Sequence, residues 1–254
     1  MMKIAVLVKQ VPGSESPLPT SHDEKWVDED KISYIMNESD NYALEEALQI
    51  KESLQDSEVV AVSLGPERVK KVIREALAKG ADRGIHLQME TSGLIDPLST
   101  ATIFAETLKS EDFDLIFTGL QSDDLGNGQI GVILGEMLHM STATLAVSTE
   151  VSESKIKIKQ ELEAGYFQNV TMSLPASITI QSGLNTPRYP SLKGIMGAKK
   201  KEIITTDLSQ GDQFQSISKV YAPTSDKQTV MLEGSPDEIV DKLINAFRSE
   251  IKIL

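Results

Sequence analysis

Ile4-Ala5-Val6-Leu7-Val8 is an unbroken apolar run held between Lys3 and Lys9. A strand with no polar alternation is one buried on both faces, the condition of a parallel strand between two helical layers. Five residues flanked by lysines are too few for a secretory core or for the roughly 18 apolar residues of a membrane span. No other run approaches that length, so a cytoplasmic protein without direct membrane insertion is expected. The 254 residues leave room for one large domain, or one with an appendage. Asp and Glu number 38 against 25 Lys and Arg, a net charge of -13. Such a chain is a poor ligand for nucleic acid or anionic membranes. With no cysteine, disulfide scaffolds, thiolate zinc sites, cysteine nucleophiles and iron–sulfur clusters held by this chain are excluded.

The apolar run recurs, with amphipathic segments between the repeats. A Gly/Pro/Ser-rich loop from Pro12 to Thr20 and a polar stretch holding Trp26 come first. Ser39 or Asp40 is then the expected cap of a helix carrying Leu44, Ala47 and Leu48. Val59 to Leu64 is the next strand, stopped by Gly65-Pro66. Pro66 suits the first turn of a helix with the stripe Val69, Val72, Ile73, Ala76 and Leu77, and Gly80 stands where a left-handed cap belongs. Ile85-His86-Leu87, the helix opened by Asp96-Pro97, the strand Leu115 to Thr118, the helix Gly131 to Leu138 and the candidate strand Leu145 to Val147 follow. This alternation predicts a three-layer α/β/α fold on a mostly parallel twisted sheet.

The pattern then changes. Lys155 to Lys159 and Gln168 to Met172 alternate, with Ile156 and Ile158 inward and Gly165 in the turn between them, which predicts a hairpin with one solvated face. Ala176 to Ile180 closes the sheet, and no crossover unit is expected after Gly183. Near the end, Ser235, Pro236 and Glu238 form a capping box before a helix with the stripe Val240, Leu243, Ile244, Phe247 and Ile251. The expected organisation is a nucleotide-binding domain over residues 1–182, a partner-recognition segment over 183–205, and a C-terminal arm over 206–254.

Residues that could carry chemistry are few. Gly126-Asn127-Gly128-Gln129-Ile130-Gly131 is a literal GxGxxG, with Glu150 at a ribose-contact distance in sequence. A dinucleotide fingerprint needs a tight turn straight off its strand, and here Leu120 to Leu125 intervene. A nicotinamide site is therefore disfavoured. The loop Gln121 to Gly131 reads better as a glycine-rich approach to a helix N-terminus, whose free N–H groups hold a phosphate. Asp123 and Asp124 speak against a naked polyphosphate and suit sugar hydroxyls or capping. His22, His86 and His139 are scattered and read as surface or packing residues. No Walker A or GxSxG sequence occurs. Glu45-Glu46 and Asp123-Asp124 are sequence neighbours rather than a facing carboxylate pair. No catalytic or metal-ligating residue is assigned. From Gly183 to Lys201, Pro187 and Pro190 hold an extended stretch, after which Leu192, Ile195 and Met196 share one helical face beside Arg188 and several lysines. A protein-docking segment and a core-packed loop with solvated lysines fit this equally.

Several separated blocks carry a resemblance. They are Val6-Leu7-Val8-Lys9-Gln10-Val11, Met36-Asn37, Ala43-Leu44-Glu45-Glu46-Ala47, Val62-Ser63-Leu64-Gly65-Pro66, and Ala76 to Gly84. Gly119-Leu120-Gln121 with Gln129-Ile130-Gly131 follows, and last Asn185 to Lys201. In this order, over about residues 3–205, the chain resembles the beta subunit of electron transfer flavoprotein. The resemblance implies a heterodimer whose alpha subunit holds most of the FAD, with AMP as a structural ligand buried in beta. The AMP positions that carry over are Leu7, Asn37, Glu38, Ser39, Asp40 and Leu64. The rest lie in the loop: Gln121, Ser122, Asp123, Asp124, Leu125, Gly126, Asn127, Gly128, Gln129, Ile130, Gly131 and Val132. Docking of acyl-CoA dehydrogenases carries over onto Pro187, Arg188, Tyr189, Leu192, Ile195 and Met196, with Leu192 at the apolar anchor position.

The match has departures. Gln160 and Ala164 flank the hairpin acid Glu161 where the family has a basic residue before it and small or acidic residues after. Leu125 and Gly126 stand where acids are common, and Ile130 removes a loop hydroxyl. Relatives that bind a second FAD in beta have a loop resembling Asp-Gly-Asp-Thr-Ala-Gln-Val-Gly. Here the loop reads Asp124-Leu125-Gly126-Asn127-Gly128-Gln129-Ile130-Gly131, which favours the AMP-binding electron carrier relaying electrons to a membrane quinone oxidoreductase, not a stand-alone enzyme. The alternatives are a bifurcating beta subunit with its own FAD and a stand-alone adenine-nucleotide module of the universal stress type.

Overall fold

The computed structural model describes residues 1–54, 56–90, 95–152, 154–209, 211–224 and 229–251, with the side chain of Ile251 outside the description. Residues 1–220 and 221–254 form two compact units. In the first, β1 (Met2–Leu7), the ribbon β2 (Gln10–Pro12) and β3 (Tyr34–Met36), α1 (Glu38–Ser53), β4 (Ser57–Gly65), α2 (Lys70–Lys79) and β5 (Arg83–Gln88) come in order. Next are α3 (Pro97–Leu108), β6 (Leu115–Gly119), α4 (Ile130–Met137), β7 (Ser141–Val151), β8 (Lys155–Glu161) and β9 (Phe167–Ser173). β10 (Ala176–Ile180), α5 (Leu192–Ala198) and β11 (Ile203–Asp207) complete it, and the second unit holds α6 (Pro236–Ala246).

Among the described residues the main sheet has nine strands in the order β11-β5-β4-β1-β6-β10-β7-β8-β9, parallel up to β7 and antiparallel beyond. Alternate residues of each buried strand feed two cores. Ile4, Val6, Val59, Ala61 and Phe117 pack under Leu44, Leu48, Ile73 and Leu77 of α1 and α2. Ala5, Leu7, Val60, Val62 and Ile116 pack under Phe104, Leu108 and Leu134 of α3 and α4. The three-layer architecture is therefore as expected. The chain leaves β1 toward β4 and β5 on one side, then returns to place β6 on the other. The carboxyl ends of β1 and β6 thus flank the switch point where open α/β sheets leave a crevice.

Four details differ from the sequence reading. The N-cap of α1 is Asn37; Ser39 and Asp40 lie in the first turn and are buried, because their side chains turn onto the strand ends. Gly80 follows α2 at φ 142°, ψ -7°, outside the left-handed helical region, and a Cβ there would meet Leu48 at 3.1 Å. β7 is longer than Leu145 to Val147. It pairs in parallel with β10 and then antiparallel with β8, with a register shift near Leu145, whose φ is 54°. Finally, β10 is interior rather than terminal, with all five residues buried, and the chain after Gly183 does make a further crossover through α5 to β11 at the far edge. β11 escaped notice because an edge strand with four exposed residues has no apolar run to betray it.

The hairpin is as expected, with Ile156 and Ile158 fully buried between exposed lysines, and Ala164 and Gly165 turning at positive φ. In the second unit Ser235 caps α6 with Glu238 closing the capping box, and Val240 and Leu243 remain exposed.

Gly119 is the tightest point beside the crevice. A Cβ there would lie 2.2 Å from Ser39 Oγ and 2.7 Å from the Ser39 carbonyl carbon, so backbone must move. Gly119→Ala is expected to destabilise the fold by about 1–3 kcal/mol, read as a lowered urea midpoint. An unchanged midpoint would mean that α1 can slide on β6.

Candidate functional site

A cleft of about 1030 Å³ opens at the switch point. Its walls are the ends of β1, β4 and β6, the ribbon β2–β3, the start of α1, and the loop from Leu120 into α4. Of the nucleotide positions expected from the sequence, all but Ser39, Gly126 and Val132 line it. Ser39 is buried behind the wall and donates its hydroxyl to the Gln121 carbonyl at 2.7 Å. Gly126 is the outer turn of the loop, at φ 64°, and Gly128 is the second turn, at φ 61°. Both conformations favour glycine.

The loop is fastened to the first turn of α1. Asn37 Nδ2 donates to Ser39 Oγ at 3.0 Å and to the Gln121 carbonyl at 2.9 Å, and Asn37 Oδ1 accepts the Asp123 amide at 2.9 Å. The Glu38 amide donates to Asp123 Oδ2 at 3.1 Å. Lys9 Nζ reaches Asp124 at 2.6 Å and Ser122 Oγ at 3.2 Å. Asp123 and Asp124 are thus spent largely on holding the loop, the capping role that the sequence allowed.

Beneath the loop, Asp40 accepts the amides of Lys9 at 2.7 Å and Gly119 at 3.1 Å. Only 6% of this residue is exposed, and burial pushes its carboxyl up to about 7 against the pull of those donors.

α4 enters the sheet so closely that a Cβ on Gly131 would lie 2.7 Å from Thr118 Oγ1 and 2.8 Å from Thr179 Cγ2. The third glycine of the GxGxxG run is needed for this contact. The first N–H groups of a helix have no partner within it, and the N-cap Gln129 supplies no side-chain bond. Thr118 borders the cleft, but its hydroxyl is sealed beneath Gly131 and has no hydrogen-bond partner there. The first turn of α4 itself opens on the cleft at Gln129, Ile130 and Gly131, which suits an anion.

The opposite wall was not foreseen. Arg68 stacks 3.9 Å over the Tyr34 ring and pairs with Glu29 at 2.9 Å and Gln10 Oε1 at 2.7 Å. Burial pushes the Tyr34 phenol up to about 12. Asp96 caps α3 and also accepts the Phe214 amide at 2.8 Å, tying down a strand of chain whose Ile217 and Val220 line the cleft. Thr118 could have been suspected as the one polar residue ending the apolar run Leu115-Ile116-Phe117. Arg68 and Asp96 carry no local signal of a shared site. Of the histidines, His86 is buried with Nε2 2.9 Å from the Gly65 carbonyl, and His22 and His139 are exposed. Among the described residues no group of three or more potential metal ligands exists, and no helix is long and apolar enough to cross a membrane.

The expected docking residues lie away from these walls. Tyr189 and Leu192 are 94% and 82% exposed, Ile195 and Met196 are exposed, and Pro187 is half-buried. Arg188 is turned inward onto Glu45 and Glu52.

An electron transfer flavoprotein domain matches residues 25–210. Over 256 residues the chain is 36% identical to the electron transfer flavoprotein subunit beta of Methylophilus methylotrophus, covering 96% of this chain and 97% of that one. The chain belongs to the electron transfer flavoprotein family, among its beta subunits. The Bacillus subtilis (strain 168) beta subunit is 31% identical over the whole of both chains, and the mitochondrial one of Arabidopsis thaliana 37% over 96% of this chain and 98% of that one. These names describe an electron-transfer subunit. In this beta subunit the cleft and the exposed segment are joined by α1, whose first turn lines one and whose later carboxylates hold the other.

Asp40 makes the site sensitive to pH. Its carboxyl holds a proton to about 7 when folded and to about 3.9 when unfolded. Folding takes up a proton between those values, so stability falls as pH rises through that window, by at most about 1.4 kcal/mol per unit. Urea midpoints at about pH 5 and about pH 8 are expected to differ more in the parent than in Asp40→Asn. Equal pH dependence in the two would place the titration elsewhere.

Proposed function

We propose that this beta subunit binds AMP as a structural ligand in the cleft and pairs with an FAD-bearing alpha subunit. It would take electrons from acyl-CoA dehydrogenases docked on residues 185–201 and pass them toward a membrane quinone oxidoreductase, in the cytoplasm. The observation that carries the nucleotide assignment is the N-terminus of α4, without a side-chain cap and lining the cleft at Gln129, Ile130 and Gly131. A phosphate there takes the first-turn amides and is favoured by the helix dipole. Glu38 at the mouth adds a negative charge beside the loop acids, which suits one phosphate better than a polyphosphate. The flavin, when bound, supplies the redox chemistry, and the chain supplies position and electrostatics.

Docking draws support from the exposed apolar face at Tyr189, Leu192 and Met196, since large exposed side chains gathered on one short segment mark interaction sites. The alpha subunit is the proposed cover for α6, whose Val240 and Leu243 are exposed, as an amphipathic stripe requires burial. One observation favours the bifurcating alternative. The cleft, at about 1030 Å³, is at the upper end of ligand sites, about 300–1,000 Å³, and a mononucleotide fills only part of it.

The deciding measurement is chromatography of the ligands released by heating the purified heterodimer. About one AMP and one FAD per heterodimer are expected. Two FAD and no AMP would replace this reading by the bifurcating one. A stable homodimer without flavin would point to the stress-type module.

A further inference from the structure

The exposed apolar segment has an unusual division of labour. Its apolar side chains point outward, while its strongest polar groups point back into the molecule. The Arg188 guanidinium forks onto Glu45, with Nε 2.8 Å from Oε2 and Nη2 2.9 Å from Oε1, and the Arg188 amide also reaches Glu45 Oε2 at 3.2 Å. Nη1 and Nη2 both bond Glu52 as well. The Glu45 side chain is only 5% exposed, on a helix packed against the sheet. Three residues earlier Asn185 Nδ2 donates to Glu46 Oε2 at 3.0 Å and to the Tyr42 carbonyl at 3.1 Å. Beyond the tip, Arg74 Nη1 holds the Ala198 and Lys201 carbonyls at 2.6 and 2.8 Å.

The tip between these anchors has little order of its own. α5 is seven residues long, below the length at which an isolated helix is stable. Its cap, Ser191 Oγ accepting the Gly194 amide at 3.0 Å, is worth about 1 kcal/mol. The body of α5 is seated on α2: a Cβ on Gly194 would lie 2.2 Å from the Ala78 carbonyl oxygen, and Ala198 is in the core. The set of the apolar face on that seat depends on where the incoming end is held. Nor is Arg188 free to greet an acidic partner. Its cation faces two carboxylates, so the local sum is negative, and four side-chain contacts occupy the fork. At such a bidentate site lysine is not equivalent, because it lacks the planar fork.

We propose that Arg188 is a positioning residue for docking. Clasped by Glu45 and Glu52, it holds the apolar tip preformed, and it makes no contact with the docked protein. This rests on the docking reading above. Preforming the tip removes ordering cost from the encounter, so the clasp acts on association and leaves electron transfer within the docked complex alone.

The test uses the purified heterodimer, reduced by a substrate-reduced acyl-CoA dehydrogenase. Four variants are compared with the parent: Arg188→Ala, Arg188→Lys, Glu45→Gln and Leu192→Ala. The expected result is a KM for the carrier raised roughly tenfold in Arg188→Ala, equivalent to about 1.4 kcal/mol, with kcat and flavin content unchanged. Glu45→Gln, which a partner cannot reach, is expected to raise KM similarly, and Arg188→Lys to resemble Ala more than Arg. Hydrogen exchange at the amides of residues 192–198 should quicken in all three. A parental KM in Glu45→Gln with a raised one in Arg188→Ala would make Arg188 a direct contact, and full activity in Arg188→Lys would show that the fork is not needed; either result overturns the proposal. Loss of flavin in Arg188→Ala would also overturn it, by showing that the clasp holds the core. A parental KM in Leu192→Ala would remove the docking reading itself, and the proposal with it. That outcome is distinct from an inert Arg188 beside a disabled Leu192 variant, which overturns the clasp alone.

Discussion

One buried carboxylate holds the crevice together. The pairing of β1 with β6 stops at Val6 and Phe117, and beyond it the amides of Lys9 and Gly119 bond a side chain. Asp40 supplies both acceptors, one oxygen for the Lys9 amide and the other for Gly119. Because Asp40 sits in the first turn of α1, the same contact seats that helix on the sheet. Ser39 and Asn37 next to it then hold the carbonyl of Gln121 and the amide of Asp123. The long loop over the cleft is thereby a rigid wall made of hydrogen bonds to one helix turn, with no regular structure of its own.

α1 also links the two surfaces that matter. Its first turn borders the cleft, and Glu45, about 10 Å from the helix start at 1.5 Å per residue, holds Arg188. Glu45 and Glu46 illustrate why neighbours in a helix do different work. Glu45 takes the fork of Arg188, while Glu46 takes Asn185 and the hydroxyl of Thr149. Both are buried acids in a strongly acidic chain, and each has a partner from the segment after β10, Arg188 for Glu45 and Asn185 for Glu46. Removing a partner from a buried charge is more damaging than its absence from the surface would be, so this segment is coupled tightly to α1.

Much of the fold was legible because buried parallel strands announce themselves. Ile4 to Val8, Val59 to Leu64 and Leu115 to Thr118 are apolar on both faces, and the stripe Val69, Val72, Ile73, Ala76, Leu77 is the buried face of α2 with its 3₁₀ approach. β11 was not legible, since an exposed edge strand needs neither apolar face. The order of the sheet was not legible either, because nothing local tells β10 that it will lie between β6 and β7. At the site, Gly126, Gly128 and Gly131 marked the loop and the helix entry from their spacing alone. Asp40 was placed at the right turn but given a capping task, whereas its burial turns it toward the strands. Arg188 was grouped with the docking face on its charge, although charge alone cannot say which way a long side chain turns.

Everything proposed for the cleft turns on a nucleotide phosphate sitting on the first turn of α4. The most direct measurement is the dissociation constant of AMP for heterodimer carrying Gln129→Asp, which gives α4 the N-cap carboxylate it lacks and sets a negative charge against the phosphate. AMP is expected to bind roughly tenfold more weakly, a change of about 1.4 kcal/mol, with the unfolding midpoint of nucleotide-free protein unchanged or raised. Parental AMP affinity in Gln129→Asp would contradict this and put the phosphate elsewhere in the cleft.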